Sequence, residues 1–339
     1  MRAVLCRDAG GIDSLKVEEV AAPDMIAGGV RIAVEAAGVS FANLLVIAGR
    51  HQNKPPNPFV PGTEIAGIVI EVAEGVGHVQ PGDRVCAGLP WGGFAEEAVV
   101  DGDNVFRIPA GLGYDAATQF PTIYATAYGA LTWRARLQPG EVLLVHGAAG
   151  ASGLAAVEVG KALGATVIAT AGSDEKLAVA RAHGAYHCID YGKTDFRDAV
   201  LELTGGLGAD VIFDPVGGDV FDKSLRCIAP EGRIIPMGFA GGRIPQVPAN
   251  LLLVKNIDVI GVYWGYYMAW GKTRASAAKR ARVRELYAEM FALFEQGKLA
   301  PLTYRSLPLD RFAEALRLVE NRSVMGKIVL VPYASEAQP

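Results

Sequence analysis

Cysteine is scarce in this chain, which has four in 339 residues: Cys6, Cys86, Cys188 and Cys227. They lie far apart and form no C-x-x-C pair, so their spacing favours neither a zinc knuckle nor a disulfide framework. No apolar run approaches the roughly 18 residues that span a membrane. The first residues show neither a long apolar segment nor a small-residue cleavage site, as a secretory signal would. These absences predict a reduced, cytoplasmic protein that holds no metal and enters no membrane.

An excess of positive charge is also lacking. Lysine and arginine number 32 against 36 acidic residues, which gives a formal net charge of −4. An extended nucleic-acid surface usually needs a strongly basic domain, so no nucleic-acid partner is expected. Hydrophobic residues make up 51% of the chain and charged residues 20%, as in ordinary globular proteins. The length predicts roughly two domains.

The first part of the chain, to about residue 110, reads as short strands separated by turns. Residues 31–39 and 64–72 have strand character, while the proline-rich segment 54–58 can be neither helix nor central strand. A turn at 81–83 precedes a further strand. This pattern predicts a compact, mainly β unit with barrel-like character.

Strands and helices alternate after a helical stretch at 115–137 that Pro121 interrupts. Strands are predicted at 141–146, 165–171, 187–190, 211–214 and 233–238, and helices at 151–163, 174–183, 196–203 and 220–228. This rhythm predicts a parallel, doubly wound α/β sheet. Residues 257–264 predict an edge strand, followed by helices at 275–296 and 307–321 and a strand at 327–331.

Three glycines, spaced three apart, join the first strand of this alternation to its first helix: Gly147, Gly150 and Gly153. A tight turn into a helix leaves backbone N–H groups unpaired, and with the helix dipole these attract phosphate. Glycine also lets a ligand approach the backbone closely. A glycine turn alone is a weak signal, but its strand–helix–strand setting predicts a dinucleotide site.

The end of the second strand indicates which dinucleotide binds. NAD-selective sites usually carry Asp or Glu there, whereas residues 169–173 contain no carboxylate. Ser173 and Lys176 would accommodate a 2′-phosphate, which favours NADPH. The alternative is that Ser173 only caps the next helix and Lys176 is solvated, and Asp174 and Glu175 weaken the charge argument.

Seven segments in sequence order resemble the zinc-independent quinone oxidoreductases of the medium-chain dehydrogenase/reductase superfamily. They are residues 38–45, 58–67, 81–85, 124–128, 146–150, 214–218 and 326–330. The resemblance implies a GroES-like β-rich catalytic domain made of residues 1–121 and 266–339, into which a Rossmann NADPH-binding domain of residues 122–265 is inserted. It also implies a homodimer formed through the edge strand near 257–263, which would protect an apolar edge from aggregation.

Zinc-dependent relatives carry a Cys after the Gly-Val of the first motif and a His in a Gly-His-Glu motif. Ser40 and Thr63 occupy these positions here, and neither is a zinc ligand by type. The four-cysteine lobe of a structural zinc is missing as well. A reductase without zinc needs an acceptor that takes hydride readily, such as a quinone or an alkene conjugated to a carbonyl.

Carried over position by position, the resemblance implies a set of cofactor contacts. The pyrophosphate would meet Gly150, Ala151 and Ser152. The 2′-phosphate would be surrounded by Ser173, Lys176, Tyr191 and Arg322. The nicotinamide would face Thr126, with the same end lined by Gly238, Phe239, Tyr263 and Trp264. The alternative to a cofactor contact is that Tyr191 and Arg322 are ordinary half-buried surface residues. For Tyr263 and Trp264 the alternative is that they are core aromatics.

Ser40, Asn43 or the cofactor ribose would hydrogen-bond the oxygen that becomes negative, and His51 or solvent would supply the proton. The alternative for His51 is an exposed loop histidine. The chain departs from its relatives at these three positions, where Asn, Asp and Tyr are common, and at Ala151 and Ser152, where they commonly read Gly-Val. These departures concern substrate choice and cofactor affinity.

Three functions remain open at this point. The first is an NADPH-dependent quinone reductase. The second is an NADPH-dependent reductase of activated C=C bonds, including enones and enoyl thioesters. The third is an NADPH-binding protein without a main catalytic role, since some relatives serve as crystallins or contact RNA.

Overall fold

The computed structural model describes residues 1–8, 10–270 and 276–333. The chain divides into two compact units. Unit 1 comprises Met1–Thr122, Trp264–Phe291 and Pro301–Pro339, and unit 2 comprises Ile123–Tyr263 and Ala292–Ala300. Within the described ranges, none of the helices combines the length and the apolarity that a membrane crossing requires.

Unit 1 begins with seven strands and two short helices. The strands are β1 (Arg2–Leu5), β2 (Lys16–Glu19), β3 (Gly29–Val39), β4 (Glu64–Val72), β5 (Arg84–Gly88), β6 (Glu97–Asp101) and β7 (Val105–Arg107). The helices are α1 (Phe41–Ile47) and α2 (Tyr114–Ala117). Along β3, Val30, Ile32 and Val34 are fully buried while the residues between them are partly exposed. This period of two places one face of the strand in the core.

Unit 2 alternates strands and helices. Its helices are α3 (Ala125–Gly129), α4 (Ala151–Ala162), α5 (Asp174–Ala182), α6 (Phe196–Leu203), α7 (Gly218–Ser224) and α8 (Ala249–Lys255). Its strands are β8 (Val142–Val145), β9 (Thr166–Ala171), β10 (His187–Asp190), β11 (Ala209–Asp214), β12 (Ile228–Pro236) and β13 (Asp258–Val259). All neighbouring pairs are parallel, in the order β10-β9-β8-β11-β12-β13. The predicted doubly wound sheet is confirmed, and its order reverses between β8 and β11.

The remaining elements are α9 (Trp264–Tyr267), α10 (Ala277–Glu295), β14 (Thr303–Pro308), α11 (Phe312–Glu320) and β15 (Lys327–Val331). Strand β15 pairs antiparallel with β3, and β14 pairs with β15, so the end of the chain completes the sheet of unit 1. That sheet runs β14-β15-β3-β4-β5-β7, with β6 paired to β3. The described part of the tail therefore adds strands to the sheet built by the first hundred residues.

Two predicted elements are wrong in their extent. Helix α7 ends at Ser224, and Ile228 instead starts β12, because the apolar run there serves a buried strand. The edge strand predicted over 257–264 contains only Asp258 and Val259, and Trp264 begins α9. The sheet edge at this place is therefore much shorter than the apolar sequence indicated.

Two further predicted helices differ from the structure, and a third lies partly outside the described residues. The stretch 115–137 contains α2 and α3, and two π-helical turns, Phe120–Tyr124 and Ala130–Arg134, flank α3. The helix predicted over 307–321 begins only at Phe312, because β14 extends to Pro308. In the helix predicted over 275–296, Ala275 lies outside the described residues.

Candidate functional site

The glycine turn of unit 2 lies at the point where the order of the strands reverses. Gly147 adopts a φ of +58°, which is costly for other residues. A Cβ on Gly153 would lie 2.3 Å from the carbonyl oxygen of Gly147, so only glycine lets α4 pack directly on the turn. A Cβ on Gly150 would find no heavy atom closer than 3.5 Å. Close packing therefore demands the last glycine of the motif and leaves the middle one free.

Helix α4 is accessible at its two ends, and the start is the end that adjoins the glycine turn. Gly150 is its N-cap, Ala151 and Ser152 are partly exposed, and residues 153–160 are all buried. N–H groups in the first turn of a helix have no intrahelical acceptor, and the helix dipole adds partial positive charge there. The three residues predicted to meet the pyrophosphate thus lie together at a geometry that suits an anion.

His146, the residue before Gly147, is held by two hydrogen bonds through its ring. Ser224 Oγ donates to the carbonyl of Val220 at 2.7 Å, so it must accept from His146 Nε2 at 2.8 Å. His146 Nδ1 then accepts from the hydroxyl of Thr170 at 2.9 Å. Burial lowers the pKa of His146 to about 3. The imidazole is therefore a neutral, fully bonded support that ties the end of β8 to β9 and α7.

At the end of β9, the structure brings together three of the residues predicted around the 2′-phosphate. Ser173 caps α5, since its Oγ accepts from the N–H of Lys176 at 3.3 Å. Tyr191 is 56% exposed, and its ring covers Gly172, where a Cβ would lie 2.8 Å from the phenol oxygen. Capping, the alternative function of Ser173, is thus present, and it leaves the hydroxyl hydrogen available for a ligand.

Two charged residues beside this group, Lys193 and Asp190, were not predicted from the sequence. Lys193 Nζ lies 2.7 Å from Asp174 Oδ2 and 3.3 Å from Asp190 Oδ2. Hydrogen bonds to these two carboxylates raise the pKa of Lys193. The position of Asp190 at the end of the third strand was a usable signal, because β10 pairs with β9 and ends beside Ala171.

The loops after β11 and β12 meet at the same edge of the sheet. Asp214 is fully buried, and its Oδ1 accepts from the N–H groups of Val216 at 2.8 Å and Gly217 at 3.0 Å. Burial raises the pKa of this carboxyl. Gly217 has a φ of +71°, and a Cβ there would lie 3.0 Å from the ring of Phe239. Gly238 and the 40% exposed Phe239 therefore stand at the carboxyl edge of the sheet, where dinucleotides bind in such folds.

The other residues predicted at the nicotinamide end differ in exposure. Thr126 is the one partly exposed residue of α3, whose other four residues are buried. Tyr263 is 40% exposed and belongs to unit 2. Trp264 is buried in unit 1, where its indole N–H donates to the carbonyl of Pro121 at 3.1 Å. For Trp264 the alternative of a core aromatic is the one that the structure favours.

Arg322 belongs to unit 1, where it follows α11 with a φ of +55°. This left-handed conformation is uncommon for a residue with a side chain. Its backbone N–H donates to the carbonyl of Val319 at 3.1 Å, which closes the end of the helix. Its assignment to the 2′-phosphate stays a prediction.

Ser40 and Asn43 form one hydrogen-bonded group at the start of α1. Asn43 Oδ1 accepts from the backbone N–H of Ser40 at 2.7 Å and from its hydroxyl at 3.0 Å. The N–H donor fixes which end of the amide faces Ser40. Asn43 is 1% exposed, and among the described residues its Nδ2 finds no hydrogen-bond partner. The pair therefore keeps one buried donor group unused, the side-chain NH2 of Asn43 with its two N–H bonds.

His51 is half-buried in the loop after α1. Its Nδ1 accepts from the backbone N–H of Asn53 at 3.0 Å, and Asn53 Nδ2 donates to the carbonyl of Pro90 at 3.1 Å. Burial lowers the pKa of His51. At neutral pH the ring is mainly uncharged and carries its hydrogen on Nε2, because Nδ1 is an acceptor.

The positions that hold zinc ligands in zinc-dependent relatives carry Ser40 and Thr63, as the sequence indicated. Across residues 1–8, 10–270 and 276–333, no three His, Cys, Asp or Glu side chains cluster as a metal site would require. Next to Thr63, Glu64 forms an ion pair with Lys327, and both side chains are almost completely buried. This pair was also missed, because its members are far apart in sequence.

A doubly wound sheet with a glycine turn at its switch point, together with a β-rich unit built from both chain ends, defines a medium-chain dehydrogenase/reductase. Residues 26–110 match the alcohol dehydrogenase GroES-like domain, and residues 151–279 match the zinc-binding dehydrogenase family. The chain belongs to the zinc-independent quinone oxidoreductase family of this superfamily, and it is an oxidoreductase.

The similarity to individual proteins extends over nearly the whole chain. A quinone oxidoreductase-like protein 2 homolog of Nematostella vectensis is 42% identical over 97% of this chain and 88% of its own. The structure of Escherichia coli quinone oxidoreductase complexed with NADPH matches with a TM-score of 0.88 at 27% identity, covering 98% of this chain and 100% of that one. A 2-haloacrylate reductase matches with a TM-score of 0.84 at 30% identity, covering 98% and 100%.

Proposed function

We propose that this protein is an NADPH-dependent quinone reductase that works without zinc. The unused amide N–H of Asn43 is the observation that carries the proposal. It lies in the motif whose zinc-dependent counterpart supplies a metal ligand, and it is a buried donor that lacks an acceptor among the described residues. Buried donors are nearly always paired, so a ligand oxygen or an ordered water is expected there.

The cofactor fits the chain at the carboxyl edge of the parallel sheet. Gly150, Ala151 and Ser152 would hold the pyrophosphate, because Gly153 lets α4 begin directly on the turn. Ser173, Lys176 and Tyr191 would hold the adenosine end, and Arg322 is proposed there as well. A 2′-phosphate is favoured because β9 ends without a carboxylate. When bound, the nicotinamide supplies the hydride that the acceptor receives.

Asn43 stabilises the oxygen on which negative charge develops as a quinone is reduced. Its Nδ2 is the donor, because its Oδ1 already accepts two hydrogen bonds from Ser40. Ser40 is a positioning residue, since its hydroxyl hydrogen points to Asn43. A donor whose position is fixed before reaction needs no reorganisation, which is the main source of this kind of stabilisation.

The proton that completes the reduction comes from solvent in this proposal. His51 is the alternative donor, but its lowered pKa leaves little imidazolium at neutral pH. The loop position of His51 therefore favours a role in shaping the pocket over a role as general acid.

The variant Asn43→Asp tests the role of the amide N–H. A carboxylate keeps both acceptors for Ser40 but removes the donor, and it places negative charge where negative charge develops. We expect kcat with 1,4-benzoquinone to fall about 100-fold. Because a carboxylate at this 1% exposed position also costs stability, turnover is compared at a temperature where both proteins are folded. NADPH affinity, measured by quenching of protein fluorescence, serves as the control and should not change. Undiminished turnover in this variant would rule out Asn43 as the donor.

A second candidate function is the reduction of activated C=C bonds. The similarity to a 2-haloacrylate reductase supports it, as does the same donor, which would serve an enone or thioester carbonyl equally well. A panel of 1,4-benzoquinone, an enone and an enoyl-CoA separates the two by kcat/KM. NADPH binding without turnover of any acceptor would instead favour the third reading, a nucleotide-binding protein without catalysis.

We also propose a cytoplasmic homodimer that forms at the β13 edge. The four cysteines are unpaired, as expected of a reduced compartment. Beside β13, helix α8 exposes 78% of Leu253 and 68% of Val254, and exposed apolar patches commonly mark interfaces. Sedimentation of Leu253→Lys/Val254→Lys beside the parent protein tests this. A parent protein that sediments as a monomer would contradict the proposal.

A further inference from the structure

Glu158, in the middle of α4, is a buried carboxylate that three separate segments of unit 2 approach. Its Oε2 accepts from the hydroxyl of Tyr124 at 2.7 Å and from the backbone N–H of Ala300 at 2.8 Å. Its Oε1 lies 2.5 Å from His183 Nδ1, at the end of α5. The side chain is 3% exposed. Both oxygens are therefore engaged, and the carboxylate is held in one position.

Tyr124 immediately precedes α3, the helix that carries Thr126. This helix is only five residues long and lies between two π-helical turns, Phe120–Tyr124 and Ala130–Arg134. Such turns depart from regular helical hydrogen bonding and often occur at functional sites. The position of so short a helix depends on side-chain contacts. Tyr124, which is 1% exposed, provides a polar contact through its hydroxyl. Burial, with Glu158 nearby, raises the pKa of Tyr124, so its hydroxyl remains a donor.

The other end of the contact is the helix that starts at the glycine turn. Glu158 lies two helical turns after Ala151 and Ser152, on the same rigid element. One carboxylate therefore links the helix proposed to bind the pyrophosphate with the segment proposed to face the nicotinamide. A shift of Tyr124 moves Thr126, two residues further on, relative to the start of α4.

We propose that Glu158 is a positioning residue, which through Tyr124 holds Thr126 at a fixed distance from the pyrophosphate-binding start of α4. This inference rests on the proposed cofactor site. It assigns to the Glu158–Tyr124 pair the placement of the nicotinamide half of NADPH, while the adenosine half depends on β9 and α5.

The test compares two ligands that differ by the nicotinamide half, NADPH and 2′,5′-ADP. Tyr124→Phe removes the hydroxyl, and Glu158→Met removes both acceptor oxygens from a side chain of similar length. In both variants we expect the Kd of NADPH to rise about tenfold and the Kd of 2′,5′-ADP to stay constant. Turnover should fall with kcat affected more than KM. The double variant should bind NADPH no more weakly than the more severe single variant, because both substitutions break the same interaction.

Thr204→Ala is the matched control. Thr204 Oγ1 donates to the carbonyl of Val200 at 2.8 Å and accepts from the N–H of Gly208 at 2.8 Å, after helix α6. Its loss should lower the melting temperature and leave the ratio of the two Kd values unchanged. Parallel changes of both Kd values in Tyr124→Phe, or no change in either, would reduce Glu158 to a structural residue. A parent protein that binds no NADPH would overturn the proposed function and this inference with it.

Discussion

Buried polar side chains are organised differently in the two units. In unit 2, the ring nitrogens of His146 and the oxygens of Glu158 all have partners within hydrogen-bond distance, and only Asp214 Oδ2 is left over among the side chains named here. In unit 1, Glu64 Oε2 and Lys327 Nζ pair with each other and have no other partner among the described residues, and Asn43 keeps an unused donor. Complete networks specify a rigid scaffold, whereas an incomplete one is finished by a ligand or held at a cost in stability.

The largest expected effect is on the isolated ion pair. Lys327→Met leaves Glu64 as a buried charge without a counter-ion, and we expect a loss of about 3–5 kcal/mol in the free energy of unfolding by urea. The double variant Lys327→Met/Glu64→Gln should recover most of it. Burial raises the pKa of Glu64. The free energy of unfolding of the single variant should therefore increase as pH falls and the carboxyl becomes neutral. An equal defect in the single and double variants would mean that lost packing, not charge, is responsible.

A smaller effect is expected for the complete network around His146. The folded pKa is about 3 and the ordinary value is 6.5, so the unfolded chain alone takes up this proton as pH falls below 6.5. The stability that the neutral ring confers is present above that pH and is lost on acidification, at up to about 1.4 kcal/mol per pH unit. His146→Gln should show a shallower decline below pH 6.5, measured by urea unfolding. Parallel curves for the two proteins would show that this histidine already titrates in the folded state.

The smallest effect is expected at the other histidine with a lowered pKa. His51 in unit 1 is only half-buried and makes one hydrogen bond through its ring, to Asn53, among the contacts described. Its imidazolium is scarce above its lowered pKa, so His51→Ala should change kcat by less than about twofold at neutral pH. Steady-state kinetics with quinone and enone acceptors across a range of pH provide the measurement. A loss of turnover confined to acidic pH, where the parent protein holds the imidazolium, would restore the histidine as a proton donor.

The features that sequence predicted well are local ones. The alternation of strands and helices after Glu141 and the glycines of the turn are written in neighbouring residues, and the parallel sheet confirms them. The errors arise where one apolar run serves two purposes. Ile228 continues a helical pattern yet starts β12, and 257–264 is apolar because part of it packs into the core, with Trp264 bonded to Pro121.

The parts of the site that escaped prediction are contacts between distant residues. Glu158 meets Tyr124 across 34 positions and Ala300 across 142, and no sequence pattern marks such meetings. Lys193 and Asp190 were easier to find, since Asp190 ends β10, the strand beside β9, and Lys193 follows three residues later. The unused donor of Asn43 was also invisible, because residue type does not show which end of an amide is already bonded.

The contact between Gly172 and Tyr191 bears on the NADPH preference proposed for this protein. The simplest route to NADH dependence places an acid at the end of β9, where it would bond the ribose hydroxyls. At residue 172 any side chain would meet the phenol of Tyr191, 2.8 Å from the new Cβ. Tyr191 would have to swing away or be replaced at the same time. In the proposed site, a single substitution at residue 172 would displace Tyr191 before a contact to the ribose is gained, so a change to NADH would need two coordinated substitutions.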